Sequence, residues 1–181
     1  MAAEFEICES KLLKGVYIIK PNKFKDFRGE IYTAFLSEEI DKLLPKPLKF
    51  IQDKFTLSHR NVLRGIHGDH KSYKLVTCVW GEIEQVVVDC RKDSPTYLKW
   101  EKWTINADNQ LLIFIPPFFG NAHYAKSDEV LFYYKWAYEG DYVDAEEQFT
   151  YAWNDERIGI DWGGICPILS ERDMKHLKDA Q

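Results

Sequence analysis

Short runs rich in β-branched and aromatic residues recur along most of the chain, and their spacing constrains the fold more than any other feature. The runs span residues 15–20, 30–35, 50–57, 73–79, 82–90, 100–105, 110–115, 121–125 and 129–137. Turn-forming strings such as Pro21-Asn22 and Asp93-Ser94-Pro95 separate them. Strands at such regular intervals predict an all-β sandwich or barrel.

Helical patterns are few and short. Residues 37–44 predict a short helix that is capped by Ser37 and ends before Pro45, and residues 171–179 predict another. We find no internal repeat, low-complexity tract or linker in the sequence. A chain of 181 residues is long enough to bury roughly 70% of its unfolded surface. We therefore expect one domain over residues 1–181.

Charge and composition narrow the function classes. The net charge of −5 argues against nonspecific nucleic-acid binding and against attachment to anionic lipid, because both require a basic field. No apolar run approaches the roughly 20 residues that span a bilayer, and the N-terminus is acidic where a signal peptide is basic. We expect a cytoplasmic protein without a membrane partner. Its four cysteines form no CxxC pair, so neither a disulfide nor a zinc cluster is indicated.

Arg64, His67 and Lys74 lie on two successive strand-like runs that a short polar turn joins. This arrangement can direct all three side chains at one small anionic or carbonyl ligand. His67 ends an apolar run, where the mouth of a barrel would lie. Strand alternation places Lys74 on the same face as Val76 and Cys78, but leaves open whether that face lines a pocket.

Six further strings occur in a recognisable order and spacing. They cover residues 24–29, 88–97, 115–119, 134–135, 153–155 and 168–173. With them, the chain resembles the nucleotide-sugar 3,5-epimerases typified by dTDP-4-dehydrorhamnose 3,5-epimerase, from about Phe24 to Asp173. The resemblance implies a cupin-type jelly roll, which suits an aromatic content of 15%, because rings can wall an interior pocket.

The resemblance also implies catalytic roles. His67 matches the family's general base in an Arg-Gly-x-His motif, and Asp173 matches the acid of a Leu-Ser-x-x-Asp string that hydrogen-bonds this histidine. Lys74 matches the lysine that stabilises the oxyanion at a sugar ketone. Tyr134 matches the acid on the opposite face of the sugar. The implied reaction inverts C3, C5 or both through an enolate, and needs neither a metal nor a redox cofactor.

Substrate-binding residues follow from the same resemblance. Arg28 and Arg64 match arginines that bind the nucleotide's phosphates, and Gln52, Asn121 and His123 are assigned to substrate binding. In relatives the segment around Arg28 serves a site across a dimer interface. We therefore expect a homodimer that binds a nucleotide-diphosphate sugar.

Departures from the family motif bear on the substrate. Gly68-Asp69 replaces the last two positions of Arg-Gly-x-His-x-Gln, Asn121 stands where the family has a histidine, and the chain between Tyr134 and Trp153 is long. With Gly-Asp-His at residues 68–70 and Asn-Ala-His at residues 121–123, the chain looks closer to the epimerases that act on GDP-linked 4-keto-6-deoxy-heptoses in bacterial capsule synthesis. The alternatives are a dTDP-4-keto-6-deoxyhexose 3,5-epimerase and a 3,4-ketoisomerase.

Two other classes of cupin compete with the epimerase. A metal-dependent cupin would use His67, His70, Glu82 and His123 as ligands, but their spacing departs from the usual pattern of two histidines one residue apart with a nearby glutamate. A noncatalytic sugar-binding cupin would lack one of the histidine, lysine, tyrosine or aspartate roles. All four matches are present in this chain.

Overall fold

The computed structural model describes residues 5–178 and consists mainly of two antiparallel β-sheets. The six-stranded sheet contains, in spatial order, β1 (Phe5–Glu9), β2 (Tyr17–Pro21), β10 (Leu112–Ile115), β7 (Tyr73–Trp80), β12 (Glu129–Ala137) and β5 (Gln52–His59). The five-stranded sheet contains β13 (Phe149–Thr150), β6 (Leu63–Gly68), β11 (Phe119–Ala125), β8 (Glu82–Asp89) and β9 (Trp100–Asn106). Strands β3 (Lys23–Asp26) and β4 (Gly29–Tyr32) form a separate hairpin. This architecture confirms the predicted cupin-type jelly roll.

Three apolar clusters hold the sheets in place. The central cluster lies between the two sheets and includes Val76 and Cys78 of β7 and Val87 of β8. A second cluster packs Leu75, on the opposite face of β7, against Ile40 and other residues outside the sheet. A third covers the outer face of the five-stranded sheet with residues 149–169. Both faces of each sheet therefore carry apolar residues, and burial of that area drives the layers together.

The strand predictions agree with the structure at every predicted run. Each of the nine runs overlaps an observed strand, and the run of Arg64 and His67 forms β6. Strands β1, β3 and β13 were not predicted. Strand β13 has only two residues, which pair with Gly68 and His67 of β6. A strand this short depends on a partner distant in sequence and leaves no local pattern.

The two α-helices are short, as predicted. Helix α1 (Ser37–Ile40) continues as a 3-10 turn over Asp41–Leu43. The prediction that Ser37 caps α1 is wrong, because Leu36 occupies the N-cap position in an extended conformation and Ser37 is already helical. Helix α2 is Glu171–Lys178, and the predicted last residue, Asp179, lies outside the described residues.

Within residues 5–178, no helix has the length and apolar character that crossing a membrane requires. All four cysteines are free thiols, of which Cys78 and Cys90 are buried and Cys8 and Cys166 are exposed.

Candidate active site

A cavity of about 490 Å³ opens between the two sheets. Strands β5, β7 and β12 supply one wall, strands β6 and β11 supply the other, and the start of helix α2 closes one side. Six of the nine predicted site residues line it: Arg64, His67, Lys74, Asn121, Tyr134 and Asp173.

His67 and Asp173 form a hydrogen-bonded dyad. The distance between His67 Nε2 and Asp173 Oδ1 is 2.5 Å, and the two residues are 106 positions apart in sequence. Burial raises the pKa of Asp173, but hydrogen bonds and the charge of His67 outweigh it, so the pKa of this carboxyl lies below its usual value. When the Nε2–H group of His67 donates this hydrogen bond to the carboxylate, Nδ1 is the ring nitrogen that can accept a proton from a ligand.

The Leu-Ser-x-x-Asp string has a local structural reason. The backbone N–H of Asp173 donates to Ser170 Oγ over 3.2 Å, and Ser170 Oγ donates to Asp173 Oδ2 over 2.9 Å. Ser170 thus caps the first turn of α2, as serine does at the start of many helices. The cap also fixes one oxygen of Asp173, which turns the other towards His67.

Gly65 sets how closely β6 approaches β11. Its φ is +128°, and a Cβ atom there would lie 2.5 Å from the Cβ of Ala122. Only glycine adopts this conformation readily and leaves the necessary space. The close approach places His67 directly opposite Asn121 in the sheet.

Lys74 lies on the inner face of β7, which answers the question that strand alternation left open. Its side chain is buried, with Nζ 3.3 Å from Asp69 Oδ2 and 4.8 Å from the centre of the Trp136 ring. Burial lowers the pKa of Lys74 and the negative charge of Asp69 opposes this effect. An ammonium in this position can stabilise negative charge that develops in the cavity.

Tyr134 lies on β12, next to β7 in the same sheet. Its ring packs edge-on against Phe132, with 4.6 Å between ring centres. Burial raises the pKa of its hydroxyl, so the phenol is protonated at neutral pH. Within residues 5–178 this hydroxyl makes no hydrogen bond, and it lies on the cavity wall that faces the His67 wall.

Arg64 and Asn121 also belong to the five-stranded wall. The Nε atom of Arg64 donates to Ser58 Oγ over 3.0 Å, which orients the guanidinium at the cavity. Asn121 Oδ1 accepts a hydrogen bond of 2.6 Å from Gln85 Nε2. The carbonyl oxygen is thereby engaged within the protein, and the amide NH₂ group can donate to a ligand.

Three predicted binding residues do not line the cavity. Arg28 is on the turn between β3 and β4, where 76% of its side chain is exposed and it pairs with Asp26. Gln52 accepts a hydrogen bond of 2.8 Å from the Tyr138 hydroxyl.

His123 is the third of these residues and is fully buried. Its ring stacks on Phe132 with 3.9 Å between centres. Neither ring nitrogen of His123 has a hydrogen-bond partner within the described residues. Burial lowers the pKa of this imidazole to about 3, so the ring is neutral at physiological pH.

Sequence reasoning missed several cavity residues. Lys54 and Thr56 of β5 line the cavity, and Lys54 Nζ donates to the Tyr142 hydroxyl over 2.9 Å. Their positions two and four residues after Gln52 were the available signal, because alternate residues of a strand share a face. Tyr142 comes from the long segment after β12, whose conformation no local pattern predicts.

The ligand set of the metal-cupin alternative is dispersed. Glu82 pairs with Lys126 and Asn106, and His123 is enclosed between the two sheets, where its ring stacks on Phe132 and does not line the cavity. Among residues 5–178, no three histidine, cysteine, aspartate or glutamate side chains come together in a way that could hold a metal ion.

Comparison with known proteins identifies the family. The family model for dTDP-4-dehydrorhamnose 3,5-epimerase matches residues 10–180. The chain belongs to this family. The Escherichia coli enzyme named dTDP-4-dehydrorhamnose 3,5-epimerase is 37% identical over 169 residues, which cover 90% of this chain and 89% of the enzyme. The protein is therefore an isomerase, and specifically a nucleotide-sugar epimerase.

Two other relatives extend the comparison. A crystal structure of a Legionella pneumophila 3,5-epimerase in complex with dTDP-4-keto-L-rhamnose has a TM-score of 0.86 and 31% identity, and the match covers 95% of this chain and 91% of that one. A dTDP-4-dehydrorhamnose 3-epimerase from Streptomyces niveus is 32% identical over 172 residues, covering 93% of this chain and 82% of that enzyme. The names of these three relatives refer to dTDP-linked sugars, and none refers to a GDP-linked heptose.

Proposed function

We propose that this protein inverts C3 and C5 of a dTDP-linked 4-keto-6-deoxyhexose through an enolate intermediate. The observation that carries the proposal is the placement of His67 and Tyr134 on opposite walls of one cavity, with Lys74 on the strand that pairs with the strand of Tyr134. The dTDP-linked hexose replaces the GDP-linked heptose expected from the sequence, because the names of the matched relatives support the hexose and give the heptose no support.

The first step is removal of a proton from the carbon beside the ketone. Nδ1 of His67 accepts the proton, and the electron pair of the broken C–H bond moves onto the ketone oxygen. Asp173 stabilises the resulting imidazolium. The ammonium of Lys74 stabilises the enolate oxygen, a contribution on the order of 3 to 4 kcal/mol for a comparable oxyanion donor. The substrate's own ketone thus accepts the electrons, and the proposed chemistry uses no metal or redox cofactor.

The second step returns a proton from the other face of the sugar. The Tyr134 hydroxyl donates its proton to the carbanion carbon, and the enolate electrons reform the ketone. Solvent then takes the extra proton from His67 and returns a proton to the Tyr134 phenolate, which restores both groups. Inversion requires this geometry, because a base that returned its own proton to the same face would restore the starting configuration.

Substrate binding in this proposal uses the ends of the cavity. Arg64 presents a guanidinium to a phosphate, a geometry that suits two-point anion recognition. Asn121 donates its amide to a sugar oxygen. Gln52 accepts a hydrogen bond from Tyr138, whose ring packs against the cavity residue Tyr142. His123 supports the packing between the two sheets and does not touch the substrate, because its ring is enclosed and stacks on Phe132.

Assembly as a homodimer completes the proposal, with Arg28 reaching the site of the partner. Strand β5 is the edge of its sheet, and Lys54 and Thr56 on one face line the cavity. Phe55 and Leu57 on the other face are 57% and 58% exposed. Exposed apolar residues grouped in one patch are typical of protein interfaces. Light scattering should give twice the mass of 21.3 kDa, and Phe55→Asp with Leu57→Asp should shift it towards the monomer.

The decisive test is incubation of 4-keto-6-deoxy sugars linked to dTDP and to GDP in deuterated water, followed by NMR. We expect deuterium at C3 and C5 and inverted configuration with the dTDP-linked hexose, and unchanged rates in EDTA. Inversion at C3 alone would place the protein with the Streptomyces niveus 3-epimerase. Migration of the ketone to C3 would instead identify a 3,4-ketoisomerase, and turnover restricted to GDP-linked heptose would restore the first expectation.

A further inference from the structure

Asp69 is a buried carboxylate directly behind Lys74. It follows β6 in the short segment where this chain departs from the family motif, and it is 2% exposed. Its Oδ1 atom accepts the backbone N–H groups of Lys71 and Ser72 at 3.0 and 2.6 Å. Its Oδ2 atom faces Lys74 Nζ at 3.3 Å and has no hydrogen-bond partner within the described residues. The turn therefore holds one oxygen rigidly and presents the other to the lysine.

The surroundings of Lys74 explain what this carboxylate does. Burying an ammonium in an apolar wall favours its neutral form. Burial also raises the pKa of Asp69, but the charge of Lys74 and the N–H groups of Ser72 and Lys71 outweigh it and leave this pKa below its usual value. The face of the Trp136 ring adds a weaker attraction for the cation.

The other titratable groups around Lys74 supply no countercharge. Cys90 approaches Lys74 from the end of β8, and burial raises the pKa of its thiol to about 12, which keeps it neutral. Tyr134 is a protonated phenol on the adjacent strand. His67 and Arg64 lie on the opposite wall and bring no negative charge.

We propose that Asp69 is a positioning residue that keeps Lys74 protonated and directed at the cavity while the enolate forms. The inference rests on the proposed epimerase function and deepens it. Within residues 5–178 the Lys74 ammonium has an ion pair with Asp69 and no hydrogen bond, so its N–H groups remain for the ketone oxygen. As that oxygen becomes negative, Lys74 lies between two anions, and the proton stays on its nitrogen.

The test compares Asp69→Asn with the wild type over a range of pH. The asparagine keeps the size of the side chain and removes its charge, so Lys74 loses its proton at a lower pH. We expect kcat to fall about 10-fold to 100-fold at pH 8, with a smaller deficit at pH 6, and KM to change little. The ratio of variant to wild-type kcat is used, because titration of His67 is common to both proteins.

Two variants control for a merely structural effect. Asp155→Asn removes another buried carboxylate that pairs with a cation, Arg157, in a turn outside the cavity, and its kcat ratio should be independent of pH. Asp69→Glu keeps the charge and should also give a flat ratio, even where geometry lowers the rate. A flat ratio for Asp69→Asn would overturn the proposal.

A direct measurement covers the case in which Asp69→Asn does not fold. NMR of ¹³C-labelled lysine follows the protonation of Lys74 in the wild type and in Asp69→Glu, with Lys74→Arg used for assignment. The proposal requires Lys74 to remain an ammonium throughout the pH range of activity. A neutral Lys74 in that range would overturn it. A wild type that turns over no 4-keto sugar would overturn the proposed function, while the lysine titration would still test the role of Asp69.

Discussion

The two walls of the cavity hold their reactive groups in different ways. On the five-stranded wall, His67 is oriented by Asp173, a residue 106 positions away that arrives on helix α2. On the six-stranded wall, Lys74 is paired with Asp69, which precedes it by only five positions. The first arrangement depends on the docking of a distant helix and the second on one turn. A mutation that disables the proposed base should therefore leave the proposed oxyanion site intact, and the reverse should also hold.

The largest expected effect is on the five-stranded wall. His67→Asn removes the proposed base, and loss of a general base typically lowers the rate by ~10² to 10⁴. Both epimerisation and deuterium exchange should fall together, measured by NMR in deuterated water. His70→Asn, a change at an exposed histidine outside the cavity lining, should leave both rates unchanged. Near-normal activity in His67→Asn would remove this residue from the mechanism.

A mutation on the opposite wall should separate epimerisation from deuterium exchange, which His67→Asn lowers together. Tyr134→Phe removes the proposed acid, so inverted product should fall by roughly 10², while His67 still exchanges the substrate proton with deuterium and retains configuration. Tyr133→Phe is the matched control, because this neighbouring hydroxyl bonds Asp53 on the outer face of the sheet. Inversion at the normal rate in Tyr134→Phe would make another group the acid.

Loss of Asp173, which orients His67, should lower activity less than loss of His67 itself. Asp173→Asn keeps the shape of the side chain and removes the carboxylate that stabilises the imidazolium, so we expect kcat to fall about 10-fold to 100-fold. Glu171→Gln changes an exposed acid on the same helix and should have no such effect. If Asp173→Asn lost as much activity as His67→Asn, the aspartate would have a more direct role than orientation.

The smallest effect concerns stability rather than rate. His123 has a pKa lowered to about 3, against about 6.5 in an unfolded chain. Between these values the unfolded state binds one more proton than the folded state. This residue therefore reduces stability by about 1.4 kcal/mol for each pH unit below 6.5. His123→Phe keeps the stacking on Phe132 and should remove that slope in urea unfolding at pH 5 to 6.5.

A matched variant checks the assignment of this slope. His59→Phe alters an exposed histidine at the end of β5 and should leave the pH dependence nearly as it is in the wild type. An unchanged slope in His123→Phe would mean that the buried imidazole binds protons in the folded state.

The elements that local pattern determines were predictable. The nine β-rich runs became strands because alternating β-branched and aromatic residues suit a pleated sheet with buried faces. The motif around His67 and Lys74 indicated a site because a short turn joins two consecutive strands, and the end of one strand then lies close to the start of the next. The roles of Asp173 and Tyr134 came from the resemblance alone, and their proximity to His67 and Lys74 required the folded chain.

The features that the sequence did not predict depend on contacts between distant segments, which leave no local sequence pattern. Nothing in the sequence near Asp69 distinguishes a solvent-exposed acid from the buried partner of Lys74. The pairing of β13 with β6 and the approach of Tyr142 to Lys54 connect segments 80 or more positions apart. The enclosure of His123 also escaped the pattern, because alternation places it on the same face as Asn121 without fixing how deep it lies.

The hydrogen bond between His67 and Asp173 has a consequence for how the protein is made. A ribosome completes every strand of both cavity walls before it reaches the turn that begins at Ser170. During that interval the growing chain carries the lysine, the tyrosine and the arginine of the pocket, but its imidazole has no carboxylate to fix which nitrogen holds the proton. Synthesis of helix α2 therefore completes the proposed base, and we expect chains released before this point to bind ligand but to transform it more slowly.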